Sequence, residues 1–110
     1  MLWYERRKMS PLLGGRPYVS FFLSNSEKAS VWVLGDNRII ENFVTKGGRG
    51  SFDIELAQGV KFIVIIRETR SRKIAHVFQI VEHNVGEVAR CSVAGLRQWL
   101  SQNLGFVPSI

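Results

Sequence analysis

The residues in this chain best suited to chemistry are its cations. Between Arg67 and Lys73 four bases, Arg67, Arg70, Arg72 and Lys73, stand against one acid, Glu68. A run of this kind neutralises phosphate or another acidic surface. A second run, from Glu5 to Arg16, sets Arg6, Arg7, Lys8 and Arg16 against Glu5 alone. All other positions balance at seven bases against seven acids, so the whole net charge of +6 lies in these two segments. Clustered excess charge points to a directed electrostatic footprint rather than to general solubility. Lys46 and Arg49 add two cations to the glycine-rich Lys46-Gly47-Gly48-Arg49-Gly50, whose backbone N–H groups suit a close approach to an anion. The P-loop order of Gly-Lys-Ser/Thr is missing there and a strand pattern follows, so a flexible hairpin turn is the better account, one that is compatible with nucleic-acid contact through Lys46 and Arg49.

Catalytic and metal-binding constellations are poorly represented. His76, His83 and Cys91 are the strong imidazole and thiolate ligands, but no Cys-x-x-Cys or His-x-x-x-His spacing organises them. Arg90 beside Cys91 would acidify its thiol slightly, but the position is that expected of a buried structural cysteine, and no base is placed to make it a nucleophile. Asp53 and Glu55 share a strand face that reads as solvent-exposed, and no Gly-x-Ser-x-Gly elbow is present. The expectation is a protein that is not an enzyme and holds no metal or cofactor. Among twelve aromatic residues, Trp3 and Tyr4 directly precede the basic run 5–8, and Trp32 is out of phase with Val31 and Val33. Aromatic rings interleaved with cations suit single-stranded nucleic acid, where bases stack while Lys and Arg neutralise phosphates.

The elements that must carry these residues are mostly strands. Tyr18–Leu23, Ser30–Leu34, Arg38–Thr45, Ser51–Leu56, 60–67, 73–82 and Glu87–Cys91 are β-rich runs separated by turn residues. Gly35-Asp36-Asn37 is a tight-turn signal because all three residue types tolerate positive φ. The 60–67 run is apolar on both parities, which predicts a central strand covered on both faces. The two runs around Arg67–Lys73 read as a hairpin with the positive charge at its tip. After Ser92 the period changes: Val93, Leu96, Trp99 or Leu100 and Leu104 recur at helical spacing, with Gly105 and Pro108 closing the segment. The predicted class is α+β, mostly β: an antiparallel meander or curved sheet of about six to seven strands with one C-terminal amphipathic helix. Residues 1–16 read as a basic, irregular N-terminal arm, and 17–110 as a single β-rich domain with helix 93–104.

At 110 residues and 45% hydrophobic content one domain with a real core is expected. No apolar run reaches the ~18 residues that span a bilayer, and no secretory h-region follows the basic start. One cysteine, Cys91, forms no internal disulfide, so a cytoplasmic location is expected and a membrane partner is not.

From Val60 to Leu104 the chain resembles PC4-like single-stranded DNA-binding proteins. The Arg-rich hairpin 61–81 carries the resemblance, with Cys91-Ser92-Val93 leading into Leu96-Arg97-Gln98-Trp99-Leu100. It implies an antiparallel sheet with one C-terminal helix, a homodimer, and nucleic-acid contact near Arg67, Arg70, Arg72 and Lys73.

Two functional classes therefore fit the sequence. One is a nucleic-acid-binding protein, with single strands favoured over duplex. It contacts phosphates through Arg67, Arg70, Arg72 and Lys73, with Arg6, Arg7, Lys8 and Arg16 as a second clamp, and homodimerisation is compatible with it. The other is a small adaptor or inhibitor that docks the same ribbon on an acidic protein partner.

Overall fold

A strand whose side chains are apolar on both sides needs a cover on both sides, and the run from Phe62 to Ile66 is of this kind. In the computed structural model, which describes residues 2–8, 17–23, 28–45, 50–68, 74–82 and 84–107, it is the middle of β6. The elements in order are β1 (Leu2–Lys8), β2 (Pro17–Leu23), β3 (Ala29–Gly35), β4 (Arg38–Val44), β5 (Gly50–Glu55), β6 (Phe62–Glu68), β7 (Ala75–Val81), β8 (Asn84–Cys91) and α1 (Val93–Leu104). Every strand pairing is antiparallel. A three-stranded sheet has the order β1-β2-β5, and a five-stranded sheet the order β4-β3-β6-β7-β8, with β6 at its centre.

Two apolar layers follow from the period-2 alternation of the five-stranded sheet. On one face Val31, Val33, Phe62, Val64, Ile66, Phe78 and Ile80 meet the inner face of the small sheet, including Val19, Phe21, Leu23 and Ile54. Phe21 is at its centre, stacked on Phe52 at 5.2 Å and edge-on to Phe78 at 5.1 Å. On the other face Trp32, Leu34, Ile63, Ile65, Ala75 and Val77 pack with Leu96 and Leu100 of α1. The helix is thus the third layer of a sheet–sheet–helix stack.

The turns are sequence-specified. Asp36 and Asn37 both take positive φ (48° and 67°), the pairing that suits a two-residue β-hairpin loop between β3 and β4. Asp36 also pins this loop to the start of β6: its N–H donates to the Lys61 carbonyl, and its Oδ1 accepts from Lys61 N. Ser92 caps α1 by accepting from Gly95 N at 3.1 Å. Gly105, at φ 77°, closes it with its N–H on the Ser101 carbonyl.

The mostly β, antiparallel fold with a C-terminal helix over 93–104 is as the sequence predicts, and three features differ. Among the described residues the strands number eight in two sheets, where one meander or curved sheet of six to seven was expected. Leu2–Lys8, expected to be irregular, is strand β1, paired along its whole length from Leu2↔Leu23 to Lys8↔Pro17. The last strand starts at Asn84, not Glu87, because the chain reverses at Glu82 (φ 49°) with Val81 opposite Asn84.

Leu100, on the sheet-facing side of α1, is fully buried, so Leu100→Ala should destabilise the protein by about 2–5 kcal/mol through lost apolar transfer and a residual cavity. Ser92→Ala should cost only about 1 kcal/mol, the usual loss of an N-cap. Urea unfolding followed by circular dichroism checks both magnitudes and their order.

Candidate nucleic-acid interface

Strand register decides which of the basic segments share a surface. Ala29 pairs with Glu68 and Ser30 with Arg67. Ala29 also exchanges hydrogen bonds with Thr45, accepting from Thr45 N and donating to Thr45 Oγ1, both at 2.9 Å. Leu23 pairs with both Leu2 and Gly50. The ends of β2, β4 and β6 and the starts of β3, β5 and β7 therefore lie at one end of the sandwich. Three connections of the chain join these strand ends: 24–28, 46–49 and 69–73. With Arg67 they contain Lys28, Lys46, Arg49, Arg70, Arg72 and Lys73 against Glu27 and Glu68, seven bases to two acids.

Of these cations, Lys28 and Arg67 belong to the described residues; Lys46, Arg49, Arg70, Arg72 and Lys73 lie outside them, as does Arg16. The antiparallel pairing of β6 with β7, Arg67 opposite Ala75, bears out the hairpin on either side of the basic tract. The other charged run does not join this end. Arg6, Arg7 and Lys8, described as backbone positions, pair with Val19, Tyr18 and Pro17. The carbonyl of Pro17 accepts from Leu56 N at 3.0 Å, at the opposite end of β2 from Leu23. A seven-residue strand separates the two groups by about 20 Å. The backbone positions of Arg6, Arg7 and Lys8 are therefore at the opposite end of the sheets from Arg67.

Two of the three proposed stacking residues are committed elsewhere. Trp32 is 7% exposed and lies under α1, and its ring is approached by the Arg67 guanidinium at 5.9 Å from the centroid. The contact has cation–π geometry. It fixes Arg67 at the rim of the helix-side core and leaves no ring face for a base. Tyr4 points into the sandwich, edge-on to Phe78 at 5.6 Å, and its hydroxyl donates to the Val85 carbonyl at 3.0 Å. It closes the gap between the small sheet and the end of the large one. Trp3 is described as a backbone position opposite Phe22.

One polar cluster was not anticipated from the sequence. Glu87 Oε1 accepts from Arg90 Nε at 2.9 Å, and Glu87 Oε2 lies 3.2 Å from His76 Nδ1. Glu87 and Arg90 are three residues apart and would face opposite ways on a regular strand. A β-bulge near Val88, where Val77↔Ala89 is followed by Phe78↔Glu87, returns them to one face. The sequence signal for a bulge is too weak to place it. No described nucleophile accompanies His76, and the cluster serves to tie β7 to β8. His83 lies outside the described residues.

At the end remote from the basic connections a cleft of about 510 Å³ opens among Leu56, Val60, Phe62 and Ile80, with Lys61 and Glu82 at its polar margin. It has the scale of a small-ligand pocket, but no convergent set of catalytic groups among the described residues. Comparison with family models, with characterised proteins and with solved structures finds no match to this chain. No helix among the described residues is long and apolar enough to cross a membrane.

Cys91 is half-buried at the end of β8, and burial pushes its thiol up from the ordinary value. The first turn of α1 crowds it, as a Cβ at Gly95 would lie 3.1 Å from Cys91 Cβ. The thiol is therefore protonated at neutral pH, and the activation suggested by the neighbouring Arg90 is outweighed by desolvation. Alkylation at pH 7–8 should be slower than for a free cysteine and should reach the free rate in denaturant. Equal rates in the folded and unfolded protein would show that burial does not control the thiol.

Proposed function

We propose that this chain is a cytoplasmic, non-enzymatic nucleic-acid-binding protein with a preference for single-stranded DNA or RNA. It uses the end of the sandwich that carries residues 46–49 and 67–73. The observation that supports this most is that strand register brings to one end the strand ends joined by three connections, which with Arg67 and Glu68 of β6 hold seven bases and two acids, in a protein whose other positions nearly balance. Six antiparallel strands, β2 to β7, flank those connections. Phosphate neutralisation by such a group is largely independent of sequence and strongly salt-dependent.

The likeness of residues 60–104 to PC4-like proteins is part of this proposal. In this chain the Arg-rich hairpin is β6–β7, and the Ser92-led helix packs on the face of the same sheet. Stacking on Tyr4 or Trp32 has no part in it, because both rings are enclosed. The reading thus rests on phosphate contacts, with base stacking left to residues other than these two.

Fluorescence anisotropy with labelled oligonucleotides at several salt concentrations tests the proposal. Replacing Arg70, Arg72 and Lys73 by Ala should weaken single-strand binding and lower the salt slope by roughly 0.7 for each lost contact. Unchanged affinity would exclude this end of the protein. Absence of binding to any single- or double-stranded oligonucleotide would instead favour an acidic protein partner for the same cations.

The separation of the two basic groups gives a length-dependent expectation. An oligonucleotide of about 4 nucleotides should be insensitive to replacement of Arg6, Arg7 and Lys8 by Ala, whereas one of about 16 should bind more weakly. Equal sensitivity at both lengths would mean that the N-terminal cations act at the same contact as Arg70, Arg72 and Lys73.

A further inference from the structure

One helix covers only part of a five-stranded sheet. With its side chains a helix is about 10–12 Å across, whereas the outer strands of such a sheet are about 19 Å apart at the usual spacing. α1 shares its layer with Ala75 and Val77 of β7, Ile63 and Ile65 of β6, and Trp32 and Leu34 of β3, all buried. Residues of β4 have no place in that layer. Ile39, Asn42 and Val44 are opposite Leu34, Trp32 and Ser30, which puts them on the helix-side face. All three are exposed, Ile39 by 39% and Val44 by 60%. The β4 side of this face is therefore bare.

The bare strip is continuous with the cation-rich end. Val44, Ser30 and Arg67 form one cross-strand row. Val44 is followed, after the buried Thr45, by the connection that contains Lys46 and Arg49. Arg67 supplies the row with a fixed cation, its guanidinium held 5.9 Å from the centroid of the Trp32 ring. Of the described helix-side positions of β3, β4 and β6, Arg67 alone is ionised, and α1 contains Arg97 but no Asp or Glu. Glu41, opposite Val33, belongs to the other face, as does Arg38 opposite Gly35. The strip thus joins aliphatic surface and one exposed amide to positive charge, with no acid among them.

Phosphate contacts at the cation-rich end leave the bases of a bound single strand to be placed, and Tyr4 and Trp32 are both enclosed. We propose that the bases lie on the bare helix-side strip of β4, where Asn42 hydrogen-bonds to a base edge; this rests on the nucleic-acid reading given above. The Val44 and Ile39 side chains offer aliphatic contact to base faces, which are themselves largely apolar. The Asn42 amide has both donors and an acceptor, the combination that complements the edge of an unpaired base. Arg67, anchored on Trp32 in the adjoining row, stays with the phosphates. Asn42 is thereby the specificity-determining residue, and the connections supply the sequence-independent part of the affinity.

The test uses the full-length protein and single-stranded homopolymers of about 8 nucleotides. Asn42→Ala and Val44→Ala, at exposed positions where circular dichroism should show an unchanged fold, are compared with replacement of Arg70, Arg72 and Lys73 by Ala. Asn42→Ala should compress the spread of affinities among the homopolymers roughly fivefold or more and leave the salt slope unchanged, because a base contact specifies and a phosphate contact does not. Val44→Ala should weaken each homopolymer roughly threefold, again at constant slope. With nitrogen-15 label, the side-chain amide of Asn42 should shift on titration. Binding that depends on the three cations, with the spread and the Asn42 amide unaltered, would overturn the base subsite and leave the phosphate reading standing. Failure of every homopolymer to bind would overturn both.

Discussion

The constraint on which the structure depends is that β6 has no polar face. From Phe62 to Ile66 each side chain is buried, alternately toward the small sheet and toward α1. Apolar area of that extent is stable in water only when covered on both sides. The large sheet must therefore have two partners. The small sheet is one, and its Phe21 reaches Phe78 on β7. The helix is the other, through Leu96 and Leu100. Neither partner has enough apolar surface to stand alone, since a three-stranded sheet and one 12-residue helix each need a face to pack on.

That constraint accounts for what was legible in the sequence. Period and composition are local, so the runs 18–23, 30–34, 38–45, 51–56, 60–67 and 73–82 could be recognised individually, along with the helix and both of its caps. The central place of β6 was legible for the same reason, because apolar residues on both parities leave no side for water. Pairing partners are not local. That β2 joins β5, across the intervening β3–β4 hairpin, depends on how apolar faces are shared between positions far apart in the chain, from Leu23↔Gly50 to Tyr18↔Glu55. Eight strands in two sheets and seven in one curved sheet present nearly the same alternation.

β1 shows a second kind of limit. Leu2, Trp3 and Tyr4 are good strand formers, but the charges from Glu5 to Lys8 mask the pattern. An edge strand tolerates those charges because one side of its backbone remains open. What fixes β1 is a tertiary contact, the Tyr4 ring against Phe21 and Phe78 with its hydroxyl on Val85. Next to a basic run the same aromatic residue reads as a stacking platform. Trp32 misleads similarly, for its phase on β3 was correctly legible while the helix that covers it is sixty residues away.

Charge and packing are nearly separated in this molecule, and the separation bears on how a binding surface arises. The apolar layers occupy strand interiors, where a cation would have to lose its hydration without an equivalent partner. Strand ends and their connections carry no such cost, so cations accumulate there without loss to the core. In an antiparallel sandwich each end gathers the connections of several strands, whatever their distance in sequence. Residues 46–49 and 67–73 are separated by a full strand in the chain, yet their flanking strands β4, β5, β6 and β7 open at the same end. At Arg67 the two systems meet: its backbone is opposite Ser30 in β3, and its guanidinium approaches Trp32 at the edge of the helix-side layer. Packing thereby sets the starting point of the basic tract.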